Sequence, residues 1–116
     1  MDRDRLLETA VEIAHEAGAL LRERFGQVQR VTFKGEVNPV TEADTAAEAL
    51  ILARLREHFP KHRILAEEGG GDEWQAPGPP IWLVDPLDGT NNFAHGFPHI
   101  AVSLALVADG APVVGI

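Results

Sequence analysis

Two pairs of carboxylates in this sequence directly follow short apolar segments that are typical of buried strands. Glu67 and Glu68 come after the first segment, and Asp85 and Asp88 come after the second. Several carboxylates at strand ends are costly unless something neutralises them. Hard divalent cations do so, because they take oxygen ligands from Asp, Glu, backbone carbonyls and water. Adjacent residues of an extended chain point in opposite directions, so only one of Glu67 and Glu68 is expected to face such a site.

Residues 85–88 are predicted to form a tight turn that brings such ligands together. Only Pro86 and Leu87 separate the two aspartates. A turn of this length can point the side chains of Asp85 and Asp88, and the Leu87 carbonyl, at one place. Pro86 favours the turn because its ring fixes its own φ angle.

The Gly89-Thr90 pair that follows is suited to binding an anion. Gly89 permits the backbone to approach a ligand closely. Thr90 is predicted to open a short helical turn and to cap it with its side chain, and the N–H groups near Gly89 and Thr90 are expected to form an anion pocket. Carboxylates for metal ions beside amides for a phosphate are what phosphoryl transfer to water requires.

Each of these patterns also has a structural interpretation, which the residues alone leave open. An Asp-Pro-x-Asp-Gly run is a common turn, and Glu67 with Glu68 is also compatible with a solvated strand end. Thr41 and Asp44 are spaced as a helix N-cap and its capping partner. The five histidines show no spacing typical of a metal site and are interpreted as surface or packing residues.

The hydrophobic pattern predicts an alternation of helices and short strands that would position these residues. One helix is expected from about Asp4 to Phe25, and a second from Thr41 to a stop at Phe59-Pro60. The second is apolar nearly all round, which indicates that it is covered on more than one side and implies a layered fold. Strands are predicted at residues 31–34, 63–66, 81–84, 101–107 and 112–116, with an Asp109-Gly110 hairpin turn and loops at 35–39 and 73–80.

Composition narrows the possible functions. The 116 residues make at most one domain, and the lack of cysteine excludes disulfides and Cys-ligated zinc. A net charge of −8 argues against a nucleic-acid partner, which would need basic surfaces. No stretch approaches the roughly 20 apolar residues of a membrane span, so no membrane association is expected and the cytoplasm is the expected compartment.

The combination of these segments resembles the inositol monophosphatase family, a Mg²⁺-dependent, lithium-sensitive group of phosphatases. Residues 38–44 (NPVTEAD) resemble the family's (N/D)xVTxxD segment, and residues 59–68 resemble its FPxxxILGEE segment except for Ala66 in place of glycine. Residues 82–93 (WLVDPLDGTNNF) match its most diagnostic motif, W(I/L)(I/V)DP(I/L)DGTxNF. The resemblance implies an α/β layered sandwich of helices and largely antiparallel sheets.

The same resemblance implies a metal site. By it, Glu67 and Asp85 ligate one Mg²⁺ together with the Leu87 carbonyl. Asp85 bridges to a second Mg²⁺ that Asp88 also binds, and the complete enzyme uses two or three ions.

The resemblance also implies the catalytic roles. The attacking water lies on the Glu67 side, and Thr90, oriented by Asp44, helps to position and deprotonate it. The substrate-binding residues that it implies are Glu67, Leu87, Asp88, Gly89 and Thr90.

The implied function is hydrolysis of a small-molecule phosphate monoester, with myo-inositol monophosphate as the expected substrate and a homodimer as the expected assembly. Related alternatives are phosphatases of fructose 1,6-bisphosphate, of nucleotide 3′-phosphates or of histidinol phosphate. A non-catalytic or regulatory relative that uses the fold only for binding is a further alternative.

Residues 1–116 are expected to be the N-terminal portion of a single domain of this type. The sequence ends within an apolar strand and contains no counterpart of the family's later WDxAAG segment, which supplies a third aspartate to the second metal. We therefore expect this chain alone to self-associate and to hydrolyse phosphomonoesters negligibly.

Overall fold

The computed structural model describes residues 2–27, 31–33, 39–67, 69 and 78–116, with only the backbone of 31–33, 39 and 40. The predicted loops at 35–38 and 73–77 lie outside these residues, as does Glu68. The elements follow one another as α1 (Arg3–Arg24), β1 (Val31–Phe33), β2 (Pro39–Thr41), α2 (Glu42–His58), β3 (Arg63–Ala66), β4 (Ile81–Asp88), α3 (Thr90–Ala94), β5 (Ala101–Ala108) and β6 (Ala111–Gly115).

Strands β3 to β6 form one mixed sheet in sequence order, while β1 and β2 form a separate antiparallel pair. Strands β3 and β4 run parallel, and the other two pairings in the sheet are antiparallel. Asp109 and Gly110 both have positive φ angles, of 52° and 76°, as a type I′ turn between β5 and β6 requires. The predicted hairpin is thereby confirmed.

Helices α1 and α2 pack against each other and on the sheet, α2 against β4 and α1 against β5 and β6, which confirms the predicted layered α/β arrangement. Leu55 of α2 and Ile13 of α1 are buried with Trp82 and Leu104 from one face of the sheet. Helix α2, predicted to be apolar nearly all round, is buried where it faces α1 and the sheet. The alanines on its outer face are exposed. No helix within the described residues is long and apolar enough to cross a membrane.

A histidine supports the largest side chain of the core. Trp82 is fully buried, and its indole N–H donates to His62 Nδ1 at 3.1 Å. Phe59 stacks on both rings, with centroid distances of 5.1 Å to His62 and 5.5 Å to Trp82. Burial lowers the pKa of His62 below its ordinary value of 6.5. The folded state therefore favours the neutral imidazole, whose Nδ1 accepts the indole hydrogen.

This pair predicts a loss of stability in mild acid. Because the folded-state pKa of His62 is depressed, its contribution is complete above pH 6.5 and is lost as the pH falls toward the folded-state pKa. Urea unfolding at pH 7.5 and 5.5 should show a smaller fall in unfolding free energy for His62→Gln than for the unaltered chain. His15→Gln, at an exposed histidine, is the control and should keep the full dependence. Equal pH dependence in His62→Gln and the unaltered chain would contradict the interpretation.

Candidate functional site

The parallel pairing of β3 and β4 brings two of the predicted carboxylates to the same edge. Ala66 is paired with Val84, and the next backbone N–H, that of Glu67, donates to the Val84 carbonyl at 3.0 Å. Glu67 and Asp85 are therefore neighbours on chains about 4.8 Å apart. Both line an open groove of about 330 Å³ that also includes Ser103 of β5.

The predicted tight turn at residues 85–88 is wrong, because β4 continues through this segment as a bulged strand. Asp85 pairs with Ser103 and Asp88 with Ala101, so two residues of β4 oppose one residue of β5. Pro86 cannot donate a hydrogen bond to the ladder, which makes a bulge the favourable solution here. The N–H of Leu87 donates to Asp85 Oδ1 at 3.3 Å instead.

Asp88 is separated from the other two carboxylates by this bulge. Its side chain is exposed at the end of β4, and it does not line the groove that Glu67 and Asp85 share. Within the part of the chain that the structure describes, no three His, Asp or Glu side chains are arranged to hold a metal ion. The groove thus includes Glu67 and Asp85 and does not include Asp88.

Asp44 occupies the most buried position among the predicted site residues, with 1% of its surface exposed. Its Oδ2 accepts hydrogen bonds from the backbone N–H of Thr41, at 3.0 Å, and from the Thr41 hydroxyl. The backbone N–H of Asp44 in turn donates to the Thr41 hydroxyl, which completes a capping box at the start of α2. The predicted capping role is confirmed, and it uses only one of the two carboxylate oxygens.

The other oxygen of Asp44 joins two distant parts of the chain. Thr90 Oγ1 donates to Asp44 Oδ1 at 2.8 Å, across 46 positions of sequence, and lies 3.2 Å from the Leu87 carbonyl. The prediction that Thr90 caps its own helix is wrong, because Gly89 is the N-cap and no side chain caps α3. Thr90 is the first helical residue, and its hydroxyl is directed to Asp44 instead.

Gly89 is held in a conformation and a space that only glycine fits. Its φ angle is 97°, and a Cβ atom there would lie 2.7 Å from the carbonyl oxygen of His99. Asn92 Nδ2 donates to the same carbonyl at 2.9 Å. The sequence argument identified Gly89 but missed His99 and Asn92. A signal for Asn92 was present in the matched GTxNF motif, whereas nothing local marks a backbone carbonyl ten residues away.

The chain is similar to known proteins over nearly its whole length. A family model described as the inositol monophosphatase family matches residues 2–116. Inositol monophosphatase 1 of Solanum lycopersicum is 41% identical over 97% of this chain and 42% of its own length. The chain thus spans less than half of this relative.

Solved structures show the same relationship in three dimensions. The extragenic suppressor protein suhB of Bartonella henselae superimposes with a TM-score of 0.89 at 37% identity, over 96% of this chain and 43% of that one. The structure of SaIMPase-II with inositol monophosphate bound gives a TM-score of 0.72 at 30% identity, over 93% of this chain and 37% of that one.

A pair of glycine substitutions should separate backbone strain from steric clash. Gly26 has a φ angle of 84° with nothing near its Cβ position, so Gly26→Ala carries the conformational cost alone, about 1 kcal/mol of unfolding free energy. Gly89→Ala adds the collision with His99 and should cost about 2–4 kcal/mol. Urea unfolding of both variants measures the difference. Equal losses would show that the loop holding His99 yields without cost.

Proposed function

The chain belongs to the inositol monophosphatase family, and on that premise we propose that it forms part of a Mg²⁺-dependent phosphatase that hydrolyses a small-molecule phosphate monoester. The complex of SaIMPase-II with inositol monophosphate supports myo-inositol monophosphate as the substrate. The relatives are more than twice as long as this chain. We therefore propose that residues 1–116 are the N-terminal portion of one catalytic domain.

The observation that carries this proposal is the hydrogen bond between Thr90 and Asp44. A hydroxyl has one hydrogen and two lone pairs. With its hydrogen donated to Asp44 Oδ1 at 2.8 Å, Thr90 Oγ1 can accept a hydrogen from a water molecule on its remaining side. The capping box uses Oδ2 of Asp44, so Oδ1 is available to hold the Thr90 hydroxyl. We propose that Thr90 orients an attacking water, with Asp44 fixing the direction of its hydroxyl.

The donors that the sequence offers near these strand ends are oxygen atoms, the ligand type that a hard divalent cation takes. Glu67 and Asp85 share one groove, and the Leu87 carbonyl lies 3.2 Å from Thr90 Oγ1. Two neighbouring carboxylates repel each other unless a cation lies between them. We propose that Glu67, Asp85 and the Leu87 carbonyl hold one ion and that Asp85 and Asp88 hold a second. Bound Mg²⁺ would neutralise phosphate charge and lower the pKa of the attacking water.

Gly89 and Thr90 are proposed to hold the phosphoryl group through their backbone N–H groups. The first N–H groups of a helix have no partner within the helix, so those at the start of α3 are suited to an anion. Gly89 carries no side chain that would block the approach of a ligand. Asp88, exposed at the end of β4, is proposed to lie beside the substrate.

The proposal predicts Mg²⁺-dependent phosphatase activity in a chain of the relatives' length that begins with these residues. Phosphate release should be measured with inositol 1-phosphate, fructose 1,6-bisphosphate, a nucleotide 3′-phosphate and histidinol phosphate, each with and without Mg²⁺. Calorimetry should show Mg²⁺ binding, weakened at least about tenfold by Asp85→Asn. Asp109→Asn, at the hairpin turn, makes the same change of charge and should leave binding unaltered. Absence of divalent binding to the folded protein would refute the metal site.

Thr90 and Asp44 are predicted to act as one unit in turnover. In the same full-length protein, Thr90→Ala should lower kcat by about 10²–10⁴-fold while leaving the affinity for Mg²⁺ unchanged, because Thr90 orients water and is not a ligand. Thr90→Ser keeps the hydroxyl and serves as the control. Asp44→Asn should lower kcat as well, and the double variant should be no worse than the poorer single variant. If Asp44→Asn loses stability but not kcat, Asp44 is a helix cap alone.

A further inference from the structure

Asn92 of α3 is attached at two points to the segment that follows the helix. Its backbone carbonyl accepts a hydrogen bond from the N–H of Phe97 at 2.7 Å, and its side-chain Nδ2 donates to the His99 carbonyl at 2.9 Å. The N–H of His99 also donates to the Phe97 carbonyl at 2.8 Å. The first two bonds hold residues 97–99 against Asn92, and the third stabilises the turn within that segment.

The segment that follows α3 also lies close to Gly89. The His99 carbonyl oxygen lies 2.7 Å, and Asn92 Nδ2 3.5 Å, from the point where a Cβ of Gly89 would be. Asn92, His99 and Gly89 therefore meet at one point. The Gly89-Thr90 backbone is thus bonded through Thr90 to Asp44, and it lies against the His99 carbonyl that Asn92 holds.

We propose that Asn92 is a positioning residue that sets the orientation of the Gly89 and Thr90 amides toward the phosphoryl group of the substrate. This inference rests on the proposed function, in which those two amides hold the phosphate. Asn92 acts through the His99 carbonyl and has no contact with the reacting atoms. Without its donor, that carbonyl is no longer held against Gly89, and the two amides lose their common direction.

The neighbouring asparagine provides a matched control for the test. Asn91→Asp and Asn92→Asp introduce the same charge one residue apart in the same helix. Only Asn92→Asp removes the donor to His99 and places a carboxylate against its carbonyl oxygen. Asn92→Gln keeps an amide donor on a longer side chain, so its effects should be smaller than those of Asn92→Asp. Asn92→Ser is the milder replacement if Asn92→Asp does not fold.

Backbone orientation is read directly by NMR of the 116-residue chain. Asn92→Asp should shift the Gly89 amide resonance more than Asn91→Asp does, although residue 91 is nearer in sequence, and only Asn92→Asp should speed hydrogen exchange of the Phe97 amide. In the chain of the relatives' length with Mg²⁺ present, Asn92→Asp should weaken binding of inorganic phosphate about tenfold, the loss expected for one well-made polar contact. The KM for a phosphomonoester should rise more than kcat falls.

Two results would overturn the role of Asn92. One is that the two aspartate variants weaken phosphate binding equally. The other is that Asn92→Asp lowers unfolding free energy yet leaves the Gly89 and Thr90 resonances in place, which is the signature of a purely structural residue. Failure of the proposed function is distinguishable, because then the unaltered protein itself would not bind phosphate, while the amide resonances still decide whether Asn92 orients this backbone.

Discussion

The burial of Asp44 is the constraint on which the arrangement of the site depends. A carboxylate removed from water is tolerated only when hydrogen bonds replace its hydration. Here one oxygen is occupied by the start of α2 and the other by the start of α3. The two helices are therefore joined at their N-terminal ends through one side chain, and removing either partner would leave a buried carboxylate underbonded.

Strand β4 of the sheet positions the acidic residues of the candidate site. This strand pairs in parallel with β3 on one side and antiparallel with β5 on the other. The parallel pairing places Glu67 beside Asp85, whereas the bulge opposite Val102 carries the chain from Asp85 to Gly89. The bulge also lies between Asp85 and Asp88, so the direction of each carboxylate depends on the irregular backbone between them. Backbone geometry, and not side-chain type alone, thus decides which acidic residues meet.

The sequence predicted much of this structure where the determining interactions are local. The capping box of Thr41 and Asp44 and the Asp109-Gly110 turn depend on residues within four positions of each other, and both are present as predicted. The two predictions that were wrong concern features that depend on residues distant in sequence. The bulge at residues 85–88 depends on pairing with β5, and the direction of the Thr90 hydroxyl depends on an aspartate 46 positions earlier. No pattern within residues 85–90 encodes either partner.

The mixed pairing of the sheet also bears on the order in which the site assembles. The two-residue turn between β5 and β6 closes a very short loop, whereas the parallel pairing of β3 with β4 spans residues 67–80 and the link from Thr90 to Asp44 spans 46 positions. Short loops cost less entropy to close and form sooner. We infer that Glu67 and Asp85 become neighbours only after the hairpin has formed. The groove that these two residues line is therefore completed late, after the local part of the sheet has formed.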